Sequence, residues 1–170
     1  MKFNVFFISM FLLVSCQQRT GKDQQILSAE NDVIEVFDFE ELQTYLSDHS
    51  DQTYVVNFWA TWCKPCIKEL PFFEAVQAAH ADKVRVILVS LDFPDKIETK
   101  LIPFIKENNL KSQVILLDDP YENEWIPRVD SSWTGAIPAT LIFNASKRRF
   151  YEGSFTEEDL KNELLKFTKI

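Results

Sequence analysis

The sequence predicts an α/β domain, and three observations predict it. Three short runs dense in β-branched, aromatic and aliphatic residues, Tyr54 to Ala60, Val84 to Leu91 and Gln113 to Leu117, have the character of buried strands. The stretches between them space their apolar residues as amphipathic helices do. A closing hairpin and a last helix follow the third run, so strands alternate with helices before the chain turns back on itself. The 170 residues give room for one domain of ordinary size. With 46% hydrophobic residues, including fifteen Phe and four Trp, a packed core is expected.

The first residues are a separate object. Lys2 is a short basic start, and Phe3 to Val14 is an apolar run of secretory length, too short for a stable membrane span. It ends in Leu13-Val14-Ser15-Cys16, which is similar to a bacterial lipobox. In signals of that kind the cysteine is lipidated and becomes the first residue of the mature chain. An ordinary signal peptide with an incidental cysteine is the alternative. The reading is therefore a signal peptide over residues 1–15, a lipidated Cys16 with a flexible tether over residues 16–32, and a folded domain over residues 33–170. It implies an exported protein, anchored by lipid and facing the periplasm or extracytoplasmic space.

Within the domain, Val33 to Phe37 alternates enough for an edge strand. Asp38 is placed to cap a helix through about Ser47, with Phe39, Leu42 and Leu46 on one face. Tyr54 to Ala60 is the central strand. The next helix starts at Cys63 and carries Ile67, Leu70, Phe73 and Val76 toward the core, with a kink expected at Pro71. Val84 to Leu91 follows as a strand, then a helix from Ile97 to Asn108 with Leu101, Phe104 and Ile105 on one side, ended by Asn108-Asn109. After the strand Gln113 to Leu117, Glu122 to Val129 is a short helix with Trp125 facing in. Ala136 to Phe143 opens the hairpin, which turns at Asn144-Ala145-Ser146 and returns through Arg149-Phe150-Tyr151. Thr156 and Asp159 are spaced as a cap for the last helix, whose apolar positions are Leu160, Leu164, Leu165 and Phe167.

Charge excludes one class of partner. The formal net charge is −8 and the basic residues are scattered, so no stripe for nucleic acid exists. The cysteines point elsewhere. With Cys16 assigned to lipid, Cys63 and Cys66 are the only pair able to form a disulfide in an oxidising compartment. A bridge closing two residues constrains the unfolded chain little, so the pair is there for its chemistry. Cys63, at the start of the helix, lies nearest its unpaired amides and positive dipole end, which favour a thiolate. It is the expected nucleophile and Cys66 the resolving thiol. Pro65 suits the first helical turn, and Lys64 adds a positive charge. A zinc site would need two further ligands. His49 and His80 each lie fourteen positions from the nearer cysteine with no partner histidine, and read as surface residues at helix ends. A cysteine peroxidase would also use an activated thiol, but the two-residue spacing and aromatic flanks suit dithiol exchange better.

The segment Asn57-Phe58-Trp59-Ala60-Thr61-Trp62-Cys63-Lys64-Pro65-Cys66-Ile67-Lys68-Glu69-Leu70-Pro71 resembles the active-site stretch of the thioredoxin superfamily, most of all its exported TlpA/ResA-type reductases. Gly135-Ala136-Ile137-Pro138-Ala139-Thr140 is similar to the cis-proline segment of that family. The resemblance implies a thioredoxin-like fold, a mixed sheet flanked by helices, with an extra strand and helix inserted between the C-x-x-C and Pro138. It places Pro138 beside a Cys63–Cys66 redox disulfide, leaving Ile137 to pair with substrate. Trp62, Lys64 and Pro65 complete the expected substrate contacts. Trp59 and Trp62 read as packing and rim residues. Plain thioredoxins carry a buried aspartate where this chain has Asn57, which cannot accept a proton. Glu69, one helical turn after Cys66, matches the family's glutamate and is the candidate proton acceptor, its pKa raised if buried; a solvated helix glutamate is the alternative. The activity implied is reduction of disulfides in exported proteins such as oxidised apocytochrome c, without cofactor or metal, with a membrane thiol-transfer protein as electron donor. A periplasmic oxidase or isomerase is the alternative direction. A copper-binding module of the same fold is the alternative class, though it would use a wider cysteine spacing and a distant histidine.

Overall fold

The computed structural model describes residues 33–47 and 52–170. The expected signal peptide, Cys16 and the expected tether, together with His49, lie outside the described residues. Six strands form one mixed sheet in the order β1-β4-β3-β2-β5-β6. Strands β1 (Glu35–Phe37), β4 (Gln113–Leu117), β3 (Val84–Ser90) and β2 (Thr53–Trp59) run parallel, β5 (Ala139–Phe143) pairs antiparallel with β2, and β6 (Arg148–Glu152) pairs antiparallel with β5. Strand β4 separates β1 from β3, so the predicted insert adds a strand inside the sheet.

Every residue of β2 is buried, as its unbroken apolar run requires of a strand covered on both faces. Its odd positions, Val55 and Trp59, join a core with Val86, Leu88 and Ile142. The helices of that face are α2 (Lys64–His80), α3 (Ile102–Glu107) and α5 (Glu157–Leu164). Its even positions, Tyr54, Val56 and Phe58, join a second core with Ile87, Val89, Leu141 and Phe143. There α1 (Phe39–Ser47) and α4 (Glu122–Val129) cover the sheet. The period-two alternation of strands thus divides the interior into two cores back to back.

Local signals act largely as read. The Asp38 carboxylate accepts from Glu41 N at 2.8 Å and the Glu41 carboxylate accepts from Asp38 N at 3.0 Å, a reciprocal cap for α1. Thr156 accepts from Asp159 N at 3.1 Å. Asn109 adopts φ of 51°. Asn109 N reaches the Lys106 carbonyl and Leu110 N the Ile105 carbonyl, closing α3 in the manner a left-handed residue permits.

Helix α2 continues from Lys64 to His80 through Pro71, which lacks the N–H for a bond to Ile67. Three expectations change. The helix expected over Ile97 to Asn108 is composite: a 3₁₀ turn, Pro94–Lys96, leads into a wider turn, Ile97–Leu101, before α3. Pro103 has no N–H to continue a regular ladder through its first turn. Strand β5 starts at Ala139 instead of Ala136, because the segment before it bends through a cis peptide. Leu165 is half exposed: α5 ends at Leu164, so Leu165 leaves the helical face that buries Leu160 and Leu164.

Candidate redox site

The two cysteines sit where β2 ends and α2 begins. Cys63 is the N-cap of α2, and Cys66 N–H donates to its sulfur at 3.3 Å. The sulfurs are joined in a disulfide, Cα to Cα 5.3 Å. Cys66 is fully buried and Cys63 is 5% exposed. The helix start therefore supplies both an amide donor and its dipole to the Cys63 sulfur, the two influences that hold a thiolate once the bond is opened. Lys64 and Pro65 are exposed beside it.

A second segment closes on the pair. The Ile137–Pro138 peptide is cis, and the Ile137 carbonyl oxygen lies 3.7 Å from the Cys63 sulfur. This loop is tied at three points. The Trp133 indole donates to the Ala136 carbonyl at 2.9 Å, Glu152 accepts from Thr134 N at 3.1 Å, and Gly153 N donates to the Pro138 carbonyl at 2.9 Å. Gly135 has φ of 92°, and a Cβ there would meet Ile126 Cδ1 at 3.2 Å, so the turn accepts little but glycine.

Glu69 lies inside the core, 1% exposed. The buried stripe of α2 is Cys66, Glu69, Leu70 and Phe73, one helical face that includes a carboxyl group. Asn57 Nδ2 donates to Glu69 Oε1 at 2.9 Å and Phe155 N donates to Oε2 at 2.7 Å. Burial raises its pKa above the usual glutamate value, against the lowering pull of those two bonds. Among the described residues its hydrogen-bond partners are Asn57 and Phe155, not either sulfur. Asn57 also donates to Thr140 Oγ1 at 3.0 Å, while its own Oδ1 has no partner.

The two tryptophans divide their expected roles. Trp59 is fully buried, its ring 5.3 Å from that of Phe104, and its indole N–H is unpaired. Trp62, which directly precedes Cys63, is 60% exposed. Between them Thr61 is fixed by Asp92, which accepts from Thr61 N at 3.0 Å, Thr61 Oγ1 at 2.6 Å and Ser90 Oγ at 2.8 Å. Sequence reasoning missed Asp92, Thr140, Trp133 and Phe155. A carboxylate directly following a buried apolar strand was the available signal for Asp92. His80 ends α2, half-buried.

These features agree with comparisons to known proteins. The sequence profile of the AhpC/TSA family matches residues 31–148. The thioredoxin-like protein YneN of Bacillus subtilis is 35% identical over 71 residues, 42% of each chain. The thiol-disulfide oxidoreductase ResA of Bacillus cereus is 26% identical over 149 residues, 86% of this chain and 82% of that protein. Among solved structures, StoA of Bacillus subtilis superposes with a TM-score of 0.51 at 26% identity, covering 68% of this chain and 84% of StoA. The match to YneN spans less than half of that relative's length.

Proposed function

Because the chain belongs to the AhpC/TSA family and carries a thioredoxin-like fold, we propose that it is a thiol–disulfide oxidoreductase working as a protein-disulfide reductase. One observation carries the reading: a disulfide at a helix N-terminus faced by a cis-proline loop, with a carbonyl 3.7 Å from the outer sulfur. In the reduced protein, Cys63 thiolate attacks a substrate disulfide, forming a mixed disulfide and expelling one substrate thiolate. Cys66 then attacks the Cys63 sulfur, releasing the second substrate thiol and leaving the Cys63–Cys66 disulfide. Two electrons pass to substrate, and an external dithiol restores the pair. The backbone at Ile137 and the rim of Trp62, Lys64, Pro65 and Pro138 hold the substrate segment.

Glu69 is the proton acceptor for Cys66 in this scheme. Its raised pKa suits the task, and one water or a side-chain shift would link carboxyl to thiol. Cys16 carries the lipid that anchors an exported chain, and the substrates are exported proteins such as apocytochrome c. The relatives named for thiol–disulfide exchange support the activity class, and the apolar N-terminal run supports export.

The test is insulin reduction with purified protein. Cys63→Ser is expected to abolish turnover, and Cys66→Ser to accumulate mixed disulfides with substrate. A reduction potential near that of thioredoxin, about −270 mV, fits a reductase; one near about −120 mV, as for a strong oxidant, overturns that direction. Retention of membrane association in Cys16→Ser would dismiss the lipid anchor.

A further inference from the structure

The sheet face opposite the disulfide carries a cavity of about 430 Å³, a size usual for small-molecule sites. Its walls are α1, the C-terminal end of α4, β5 and the β5–β6 turn. Its floor is apolar, made by Phe39, Leu42, Phe58, Leu141 and Phe143. Among the described residues its charged lining has one sign: Arg128, Lys147 and Arg148 contribute, and no carboxylate does. That is a notable bias in a chain with 26 acidic and 18 basic residues.

Two of these cations already have partners. Arg128 pairs with Glu40 at 2.5 Å and lies 4.7 Å from the centre of the Phe39 ring. Lys147 Nζ donates to the Lys166 carbonyl at 2.7 Å. Arg148 differs. One arm donates to the Val129 carbonyl, and among the described residues it has no ion pair. Desolvation lowers its pKa, with the nearby Asp130 charge acting the other way. A guanidinium with N–H groups to spare, beside an apolar cleft, suits a bidentate oxyanion.

We propose that this cavity binds a small amphipathic anion, its apolar body on the Phe58–Leu141–Phe143 floor and its carboxylate or phosphate head on Arg148. The site is separate from the dithiol chemistry and does not depend on it. A ten-carbon chain is a fitting probe. Calorimetric titration of the oxidised wild-type protein with decanoate, decyl phosphate and decanol separates head from tail. Both anions, or one of them, should bind at one site, with decanol at least about tenfold weaker. Whichever anion binds more tightly identifies the head. Arg148→Gln should weaken the anions about tenfold and leave decanol unchanged, whereas Ala145→Trp, at the exposed mouth, should block all three. Thermal melting and insulin reduction at wild-type levels show that each variant is folded. Equal affinity for decanol and decanoate, an unaltered affinity in Arg148→Gln, or no binding of either anion overturns the proposal.

Discussion

Burial sets the behaviour of Glu69, and the consequence is a pH dependence with a definite sign. Its folded pKa is above the ordinary value of 4.5, so between the two values the folded state holds more protons than the unfolded chain. The contribution of this group to stability is whole below about 4.5 and is lost as pH rises through the folded pKa. Glu40, Glu152 and Glu163 shift the other way, so the wild-type profile alone mixes both trends. Glu69→Gln isolates the effect. The melting temperature of the variant, relative to wild type, should climb between pH 4 and pH 8; a constant difference across that range would count against a buried, perturbed carboxyl. Asn57→Asp makes the converse point, since a second carboxylate beside Glu69 adds like-charge repulsion where Oδ1 already lacks a partner. Urea unfolding at pH 7 should show a loss of about 1–3 kcal/mol that shrinks as the pH is lowered. At this scale the sequence is legible where chemistry is local. Cys63, Cys66 and Pro138 stand in recognisable motifs. The contacts of Phe155 and Thr140 are not legible, because their partners lie 86 and 83 positions away and only the fold brings them to Glu69 and Asn57.

Elements were legible where one periodicity ruled and obscure where proline broke it. Strand β2 and the caps at Asp38 and Thr156 follow from residue type and spacing. The composite turn before α3 does not, because the apolar spacing of Leu101, Phe104 and Ile105 is compatible with a regular helix until Pro103 removes a donor. The apolar stripe of α2 holds at Leu70, Phe73 and Val76, while its buried face also takes in Cys66 and Glu69, a carboxyl that a pattern of apolar residues cannot place inside. The cis-proline loop offers a prediction at the same scale. Gly135→Ala puts a Cβ at 3.2 Å from Ile126 and forces φ of 92° on an L side chain. It should cost about 1–2 kcal/mol of stability, read by urea unfolding. It should also lower insulin reduction more than reduction of a small aromatic disulfide, since the displaced loop is the wall proposed to hold a protein substrate. Equal loss with both substrates would argue that the loop does not position substrate.

The division of the interior by the sheet decides how damage spreads through the molecule. Ile142 on β5 packs into the core under α2 and α5, and Ile87 on β3 into the core under α1 and α4. Strand β2 lies between β3 and β5, so the two side chains are separated by two strand spacings, about 10 Å, and point to opposite faces. Both are fully buried. Each Ile→Val change should cost about 0.5–1.5 kcal/mol in urea unfolding. Sites that far apart, in separate cores, are expected to add within about 0.5 kcal/mol, so the double variant should lose the sum. The functional readout should not be symmetric. The core that holds Ile142 also contains Cys63, Cys66 and Trp59, whereas the other contains none of the redox pair. Ile142→Val should therefore shift the reduction potential or the rate of dithiol exchange, while Ile87→Val should change stability and leave exchange at the wild-type rate. A large coupling between the two substitutions, or equal effects on exchange, would mean that the sheet transmits packing changes from one face to the other instead of insulating the disulfide from them.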